Sequence, residues 1–232
     1  MASADTSPLQ DPIHYFAIVS SLLLGWMEPL STTTEGPPRF EGVVVDRNRE
    51  EAAAFALEVY AHGLETPPSE RYYIFWADAS VCQSLGAGTV VWKMSIATER
   101  WAQEGHFYPY KTNNVIIVEI FAICAALETA LSQIRDLQST AEQSEDEIHQ
   151  PTQNRGKVTV FSDSIDALQL IDSYYPSTGS RNLSRKARAF YYRGEIQTVF
   201  KHTHELRRLV VQVELHLVPG HNYIPGNVQA HQ

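Results

Sequence analysis

The sequence predicts an α/β protein in which helices pack on a mixed sheet of five strands. Three observations predict this class. Short runs are rich in aromatic and β-branched residues, one long segment has apolar residues at helical spacing, and strands alternate with helices after the third strand. The predicted order is βββαβαβα, in which the last helix has barely begun where the sequence stops.

Two regions are predicted along the chain, an N-terminal extension over 1–70 and the folded domain over 71–232. Residues 1–12 are polar, and we expect them to be disordered. Residues 13–30 are apolar and precede a Pro/Gly-rich break. A helix is predicted over 49–63, because acids occupy its first turn and a glycine follows its end.

Five short runs predict the strands of the sheet. Three of them, over 72–77, 87–93 and about 101–109, follow one another closely and predict an antiparallel meander. The other two runs, over 157–162 and 211–218, are separated from the meander and from each other by helical segments. Such connections favour a mixed sheet with helices on its faces.

The most regular predicted helix begins after Asn113 or Asn114, either of which can cap it. Its apolar residues recur at steps of three and four, at Ile116, Ile120, Ile123, Leu127, Leu131 and Ile134. A second helix is predicted over Ser164–Tyr174, and one or two more within 183–209. The acidic segment 138–156 is expected to be a long loop or a disordered insertion.

Composition limits the function classes. Hydrophobic residues make up 44% of the chain and charged residues 19%, as in ordinary globular proteins. The net charge of −9 disfavours non-specific binding to nucleic acid or to an anionic membrane, so a nucleic-acid site has to be a local basic patch. The apolar stretch Ile13–Trp26 is too short to span a bilayer, and no membrane partner is expected. Cys82 and Cys124 lie far apart without metal-ligand spacing and suit a reducing compartment. Together with a poor match to a signal peptide, they favour an intracellular location, in nucleus or cytoplasm.

Three acids stand where an apolar core pattern does not favour them. Asp78 and Asp163 each end a strand, although an aspartate can also end a strand by satisfying turn amides. Glu119 projects from the edge of the apolar face of the long helix, where a carboxylate is costly unless it is paired or bound to a cation. The ends of adjacent strands and a facing helix can bring the three together. Two divalent cations held there can activate water for phosphodiester hydrolysis.

Five short motifs carry a resemblance to a known family. They are W-A-D-A-S at 76–80, G-A-G at 86–88, V-E at 118–119, F-S-D-S at 161–164 and V-P-G-H-N-Y-I-P-G-N at 218–227. In this order and spacing they resemble the type 1 ribonuclease H family, and most closely the domains attached to retrotransposon reverse transcriptases. The resemblance spans roughly 72–232.

The resemblance implies a ribonuclease H-like fold and a nuclease that cuts the RNA strand of RNA–DNA hybrids with two Mg²⁺ or Mn²⁺ ions. It implies that Asp78, Glu119 and Asp163 are catalytic metal ligands. It also implies that His221, in a glycine- and proline-shaped loop, assists proton transfer or product release. Asn227 belongs to the matching motif and is expected to contact nucleic acid.

One departure concerns the fourth metal ligand, which is an aspartate in the family. The sequence has V-Q-A-H there, so His231 stands at that position. Mg²⁺ prefers oxygen, so the replacement favours Mn²⁺ or weakens the second ion. It also fits a decay of activity. Because the sequence stops one residue later, we expect the last helix to be truncated, and His231 can equally be an incidental residue on a frayed end.

A basic stretch predicts the nucleic-acid-binding surface. Residues 181–208 contain eight basic and two acidic side chains, with Phe190, Tyr191 and Tyr192 interleaved among them. Such side chains suit a phosphate backbone with sugars or bases stacked beside it, although a solvated helix face gives the same pattern. The residues assigned to binding are Arg181, Arg185, Lys186, Arg188 and Arg193.

Three functions remain open at this point. The first is an active, metal-dependent hybrid ribonuclease. The second is a nucleic-acid-binding module of the same fold with impaired catalysis. The third is a retroelement-derived scaffold that contacts an unknown protein partner through residues 1–70.

Overall fold

The computed structural model describes residues 39–62, 71–93, 101–142, 156–174, 193–220 and 224–231, which all lie within one compact unit, Pro37–Gln232. Their strands are β1 (Val43–Val45), β2 (Arg71–Cys82), β3 (Leu85–Lys93), β4 (Trp101–Phe107), β5 (Gly156–Ser162) and β6 (Val211–Leu217). Their helices are α1 (Arg49–His62), α2 (Val115–Glu142), α3 (Ile165–Ser173), α4 (Arg193–Arg208) and α5 (Pro225–His231).

The six strands form one mixed sheet in the order β1-β6-β5-β2-β3-β4. Strands β2, β3 and β4 are antiparallel, as the predicted meander requires, while β5 pairs in parallel with both β2 and β6. From β2 onward the described elements follow the predicted order, with α3 and α4 both between β5 and β6. The predicted fold class, an α/β protein with a ribonuclease H-like order of elements, is confirmed.

The sheet has six strands, whereas the sequence predicted five. The additional strand β1 pairs in parallel with β6, with Val44 opposite Leu215. Its three valines are too few to give a recognisable alternation, so the sequence pattern missed it. Strand β1 and helix α1 come from the range 1–70, so part of the range predicted as an extension belongs to the same unit as the sheet.

A second difference concerns the acidic segment 138–156. Helix α2 continues to Glu142, five residues into the predicted loop. The hydroxyls of Ser139 and Thr140 donate hydrogen bonds to the carbonyl of Asp136, which is compatible with a continuing helix. The rest of the segment, up to 155, lies outside the described residues.

Alternation along β2 divides the core into two clusters. Phe75 and Ala77 face the larger cluster, to which α2, α3 and α4 contribute. Trp76 faces the opposite side, with Phe161 of β5 and apolar residues of α1 and α5. Helices therefore cover both faces of the sheet. Helix α2 is long and apolar enough to cross a membrane, but most of its apolar stretch is buried, which the larger cluster explains.

The segment before α1 is joined to β6 by polar contacts. Arg47 donates a hydrogen bond to Nδ1 of His216 over 2.6 Å, and its guanidinium lies 4.0 Å from the ring centroid of Phe55. The other ring nitrogen of His216 lies 2.9 Å from the carboxylate of Glu214, which Lys157 also contacts at 2.7 Å. These contacts join the segment between β1 and α1 to the neighbouring strand β6.

Candidate metal centre

Strand register places two of the predicted acids side by side. In the parallel pair β2–β5, Ala77 lies opposite Ser162, so the next residues along the two strands are Asp78 and Asp163. Strand β5 ends at Ser162, whereas β2 continues past Asp78 to Cys82 in its pairing with β3, so Asp78 lies within its strand and not at the strand end that the sequence predicted. After Asp163 the chain turns at once into α3, where the Ser164 side chain accepts a hydrogen bond from the amide of Ala167.

The third acid comes from the first turns of α2. The Asn114 side chain accepts a hydrogen bond from the amide of Ile116, which fixes where the helix begins. Glu119 follows one turn later and is 5% exposed, between residues of the larger core cluster. The backbone amide of Ala79, next to Asp78 on β2, donates a hydrogen bond to the Glu119 carboxylate.

The three carboxylates form one cluster. Asp78, Glu119 and Asp163 each offer an oxygen, and these oxygens lie within 4.8 Å of one another. Burial, together with the negative charges of Asp163 and Asp78, raises the pKa of Glu119 to about 9. The Oε2 atom of Glu119 is buried and has no hydrogen-bond partner within the described parts of the chain.

This arrangement fits a hard divalent cation. Carboxylates this close repel one another, and a buried acceptor without a donor is costly. A cation among the three oxygens removes both penalties, and oxygen donors are the ligands that Mg²⁺ and Mn²⁺ accept. The residues present therefore suit the ion that the family resemblance implies.

Helix α5 brings His231 to the same edge. Its Nδ1 atom lies 2.8 Å from Oδ2 of Asp78, while 67% of the imidazole side chain is exposed. The helix is anchored by Ile224 and Ala230, both buried in the smaller core cluster. The position of His231 therefore follows from packing of the whole helix, and its role as a metal ligand stays a prediction.

Two glycines shape this part of the sheet, because each lets the backbone approach a neighbour more closely than a side chain permits. A Cβ on Gly220 would lie 2.8 Å from Oδ2 of Asp163, so the chain after β6 approaches that carboxylate more closely than a side chain permits. A Cβ on Gly226 would lie 2.2 Å from the Trp76 indole, so α5 rests directly on the ring. Each glycine follows a proline in the sequence, and this P-G pair is its only local signal.

The remaining predicted site residues are placed only in part. His221 lies outside the described residues, as do the four residues Arg181, Arg185, Lys186 and Arg188, so their roles stay predictions. Arg193 is the first residue of α4. Asn227 is buried in the first turn of α5, and its Oδ1 atom has no hydrogen-bond partner among the described residues.

Comparisons with known proteins were made at three levels. No protein-family model matches the chain, and no curated protein sequence matches it. Among solved structures, RNase H1 from the halophilic archaeon Halobacterium salinarum NRC-1 is 17% identical over 69% of this chain and 92% of its own, with a TM-score of 0.37.

Two further structural neighbours are similar at the same level. LC11-RNase H1, solved in complex with an RNA/DNA hybrid, is 15% identical over 68% of this chain and 91% of its own, with a TM-score of 0.36. The foamy viral protease-reverse transcriptase, also in complex with an RNA/DNA hybrid, is 12% identical over 88% of this chain and 21% of its own, with a TM-score of 0.39.

Proposed function

We propose that the chain is a divalent-cation-dependent ribonuclease that cuts the RNA strand of RNA–DNA hybrids. One observation carries the proposal. Oxygens of Asp78, Glu119 and Asp163, the acids that the sequence predicts as metal ligands, lie within 4.8 Å of one another although the residues come from β2, from α2 and from the position after β5. Such convergence is costly to the fold, and a bound cation is the simplest reason for it.

Asp78, Glu119 and Asp163 would hold the cation. When bound, Mg²⁺ or Mn²⁺ supplies activation of a water and stabilisation of the leaving oxygen in phosphodiester hydrolysis. The chain supplies the orientation of the ligands. The Ala79 amide orients the Glu119 carboxylate, and His231 contacts one oxygen of Asp78.

The loop after β6 is proposed to deliver a proton-transfer group. Gly220 lets the backbone lie against the Asp163 carboxylate, and His221 is the next residue. An imidazole titrates near neutral pH, so His221 suits transfer of a proton to or from the reacting phosphate. The assignment rests on the motif V-P-G-H-N and on the position of Gly220.

The substrate is proposed from the basic stretch and from the reaction. Arg181, Arg185, Lys186, Arg188 and Arg193 supply positive charge in a chain whose net charge is −9. These side chains suit phosphates, and discrimination of RNA from DNA requires contact with 2′-hydroxyls of the cut strand. Asn227 is also proposed to contact the nucleic acid.

A cleavage assay on end-labelled duplexes tests the proposal. The chain should cut the RNA strand of a hybrid with Mg²⁺ or Mn²⁺ and leave double-stranded DNA intact. Asp78→Asn should abolish cutting while hybrid binding is kept. Asp166→Asn, the same change on an exposed residue of α3, is the matched control and should cut normally. Equal cutting by Asp78→Asn and by the unaltered chain would overturn the proposal.

A binding module with impaired catalysis is the second candidate. The observation that favours it is the imidazole of His231 beside Asp78, where the family has a carboxylate. This candidate predicts hybrid binding with no RNA cleavage in either Mg²⁺ or Mn²⁺. Restoration of cleavage by His231→Asp would then show that this position alone limits the activity.

A further inference from the structure

We infer that the metal centre is asymmetric, with a position beside Asp78 and His231 that selects Mn²⁺ over Mg²⁺. The inference rests on the proposed metal site and concerns which ion occupies which part of it. The remaining position, among the three carboxylates, accepts either ion. A chain with Mn²⁺ should therefore hold two ions, and with Mg²⁺ one.

Geometry separates the two positions. Oxygens of Asp78, Glu119 and Asp163 lie within 4.8 Å of one another, and His231 is not a member of that group. The imidazole contacts Asp78, at 2.8 Å from Oδ2. Asp78 is thus shared between an all-oxygen set and a pair made of one oxygen and one nitrogen.

The chemistry of the donors distinguishes the ions. Mg²⁺ requires oxygen ligands in near-ideal octahedral geometry and gives up its water reluctantly. Mn²⁺ accepts imidazole more readily and tolerates a mixed set of oxygen and nitrogen donors. The oxygen–nitrogen pair therefore favours Mn²⁺, while the three carboxylates do not discriminate strongly.

The net charge of the ligands also favours Mn²⁺ at the position beside His231. Three carboxylates carry three negative charges and a neutral imidazole carries none, so two divalent ions would leave this edge of the sheet with a net positive charge. A second ion therefore gains less from electrostatic attraction than it would beside four acids, and a nitrogen–metal bond has to compensate. Mn²⁺ forms that bond more strongly than Mg²⁺.

Packing of α5 fixes the position of His231 beside the proposed second ion. Helix α5 is held by buried Ile224 and Ala230, and Gly226 rests on the Trp76 ring. The imidazole itself is 67% exposed, so an ion can reach it from solvent. Because so much of the side chain is exposed, its replacement should leave the fold intact.

Binding of Mn²⁺ and Mg²⁺ to the full chain, followed by electron paramagnetic resonance, tests the inference without any nuclease assay. Free Mn²⁺ is counted during a titration, and Mg²⁺ is then added in competition. The unaltered chain should bind two Mn²⁺ ions, and one of them should resist Mg²⁺. Pulsed measurements should detect ¹⁴N coupling to Mn²⁺ from the imidazole nitrogen.

Three variants complete the test. His231→Ala should lose the ¹⁴N coupling and one Mn²⁺ ion. His231→Asp should keep two ions and let Mg²⁺ compete better by roughly tenfold or more, the scale on which changes around metal ligands alter affinity. His204→Ala, which removes a histidine of α4 that pairs with Glu41, is the matched control and should bind Mn²⁺ and Mg²⁺ like the unaltered chain. Unfolding curves in EDTA establish that each variant folds.

The outcomes separate this inference from the proposed function. Absence of ¹⁴N coupling in the unaltered chain, or the same preference between Mn²⁺ and Mg²⁺ in the unaltered chain and in His231→Ala, overturns the asymmetric site even if hybrids are cut. Two Mn²⁺ ions with ¹⁴N coupling and no hybrid cleavage by any variant support the asymmetric site and overturn the nuclease.

Discussion

Arg47 donates a hydrogen bond to Nδ1 of His216, a residue 169 positions later in the chain, over 2.6 Å. An arginine has only donors, so Nδ1 has to accept, and the proton of the neutral ring sits on Nε2, which faces Glu214. Burial is the main cause that lowers the pKa of His216, and Arg47 and Lys157 lower it further, against the opposing effect of Glu214. The ring is thus held neutral by its surroundings.

Acid should weaken this contact. The unfolded chain takes up a proton on His216 near its ordinary pKa, while the folded chain resists, so the stability contributed by neutral His216 is present above pH 6.5 and is lost as the pH falls below it. Arg47→Met should raise the pKa of His216, measured from its ring proton in NMR titrations. It should also lower the free energy of unfolding at pH 7 by about 1–2 kcal/mol. An unchanged pKa would contradict the hydrogen bond.

His202 should give a second acid-dependent loss of stability. Burial lowers the pKa of His202 to about 4, and its Nδ1 atom has no hydrogen-bond partner among the described residues. Its contribution is complete above pH 6.5, the unfolded value, and is lost progressively as the pH falls toward 4. Urea unfolding across this range should show a shallower decline for His202→Leu. His62→Leu, at an exposed position at the end of α1, is the control and should keep the full slope.

Glu119→Gln should stabilise the metal-free protein. In the absence of a cation, the buried carboxylate at pH 7 either bears a charge beside Asp78 and Asp163 or takes up a proton at a cost. Removal of that cost should raise the free energy of unfolding in EDTA by about 1–3 kcal/mol. The same variant should lose most of the stabilisation that Mn²⁺ gives the unaltered chain. Glu58→Gln, at an exposed position of α1, is the control. It should change neither the free energy of unfolding in EDTA nor the stabilisation by Mn²⁺.

Gly226→Ala should displace α5. The new Cβ would fall 2.2 Å from the Trp76 indole, which is stacked on Phe161 and has little room to move. The free energy of unfolding should fall by about 1–3 kcal/mol, as for other overpacked cores, and Mn²⁺ binding should weaken because His231 shifts. Gly194→Ala is the matched control. A Cβ there meets nothing within 4 Å, and its stability should be unchanged or slightly higher.

Charge reversal in the basic stretch should weaken hybrid binding. Arg185→Glu, Lys186→Glu and Arg188→Glu together remove three cations that are proposed to contact phosphates. The dissociation constant should rise and its dependence on salt should flatten, because fewer counterions are released. Arg49→Glu, at an exposed position of α1, is the control and should leave the salt dependence of hybrid binding unaltered. An unchanged slope in the triple variant would place the binding surface elsewhere.

The acids of the candidate site were predictable because each stands at a boundary that leaves a mark in the sequence. Asp78 and Asp163 end runs of apolar β-branched or aromatic residues, and Glu119 interrupts a helical apolar pattern. The parallel register of β2 and β5 is what places Asp78 beside Asp163, although β2 itself continues to Cys82.

Other features could not be predicted because they depend on distant residues meeting. Strand β1 is three residues long, and it was not recognised without knowledge of β6, with which it pairs. The contact of Arg47 with His216 joins residues that are 169 positions apart in the chain. The requirement for glycine at Gly220 and Gly226 arises from Asp163 and Trp76, and no local pattern reports on a neighbour across the fold.

Strand β1 also pairs with the outer edge of β6, which would otherwise be an unpaired edge of the sheet. Val43–Val45 occupy the outer hydrogen-bonding edge of that strand, and a chain cut just before Arg71 would leave those amides and carbonyls open. An unpaired strand edge can pair with strands of other molecules. The shortened protein should therefore self-associate and precipitate, independently of metal binding. The minimal soluble form of this protein should therefore begin upstream of Val43.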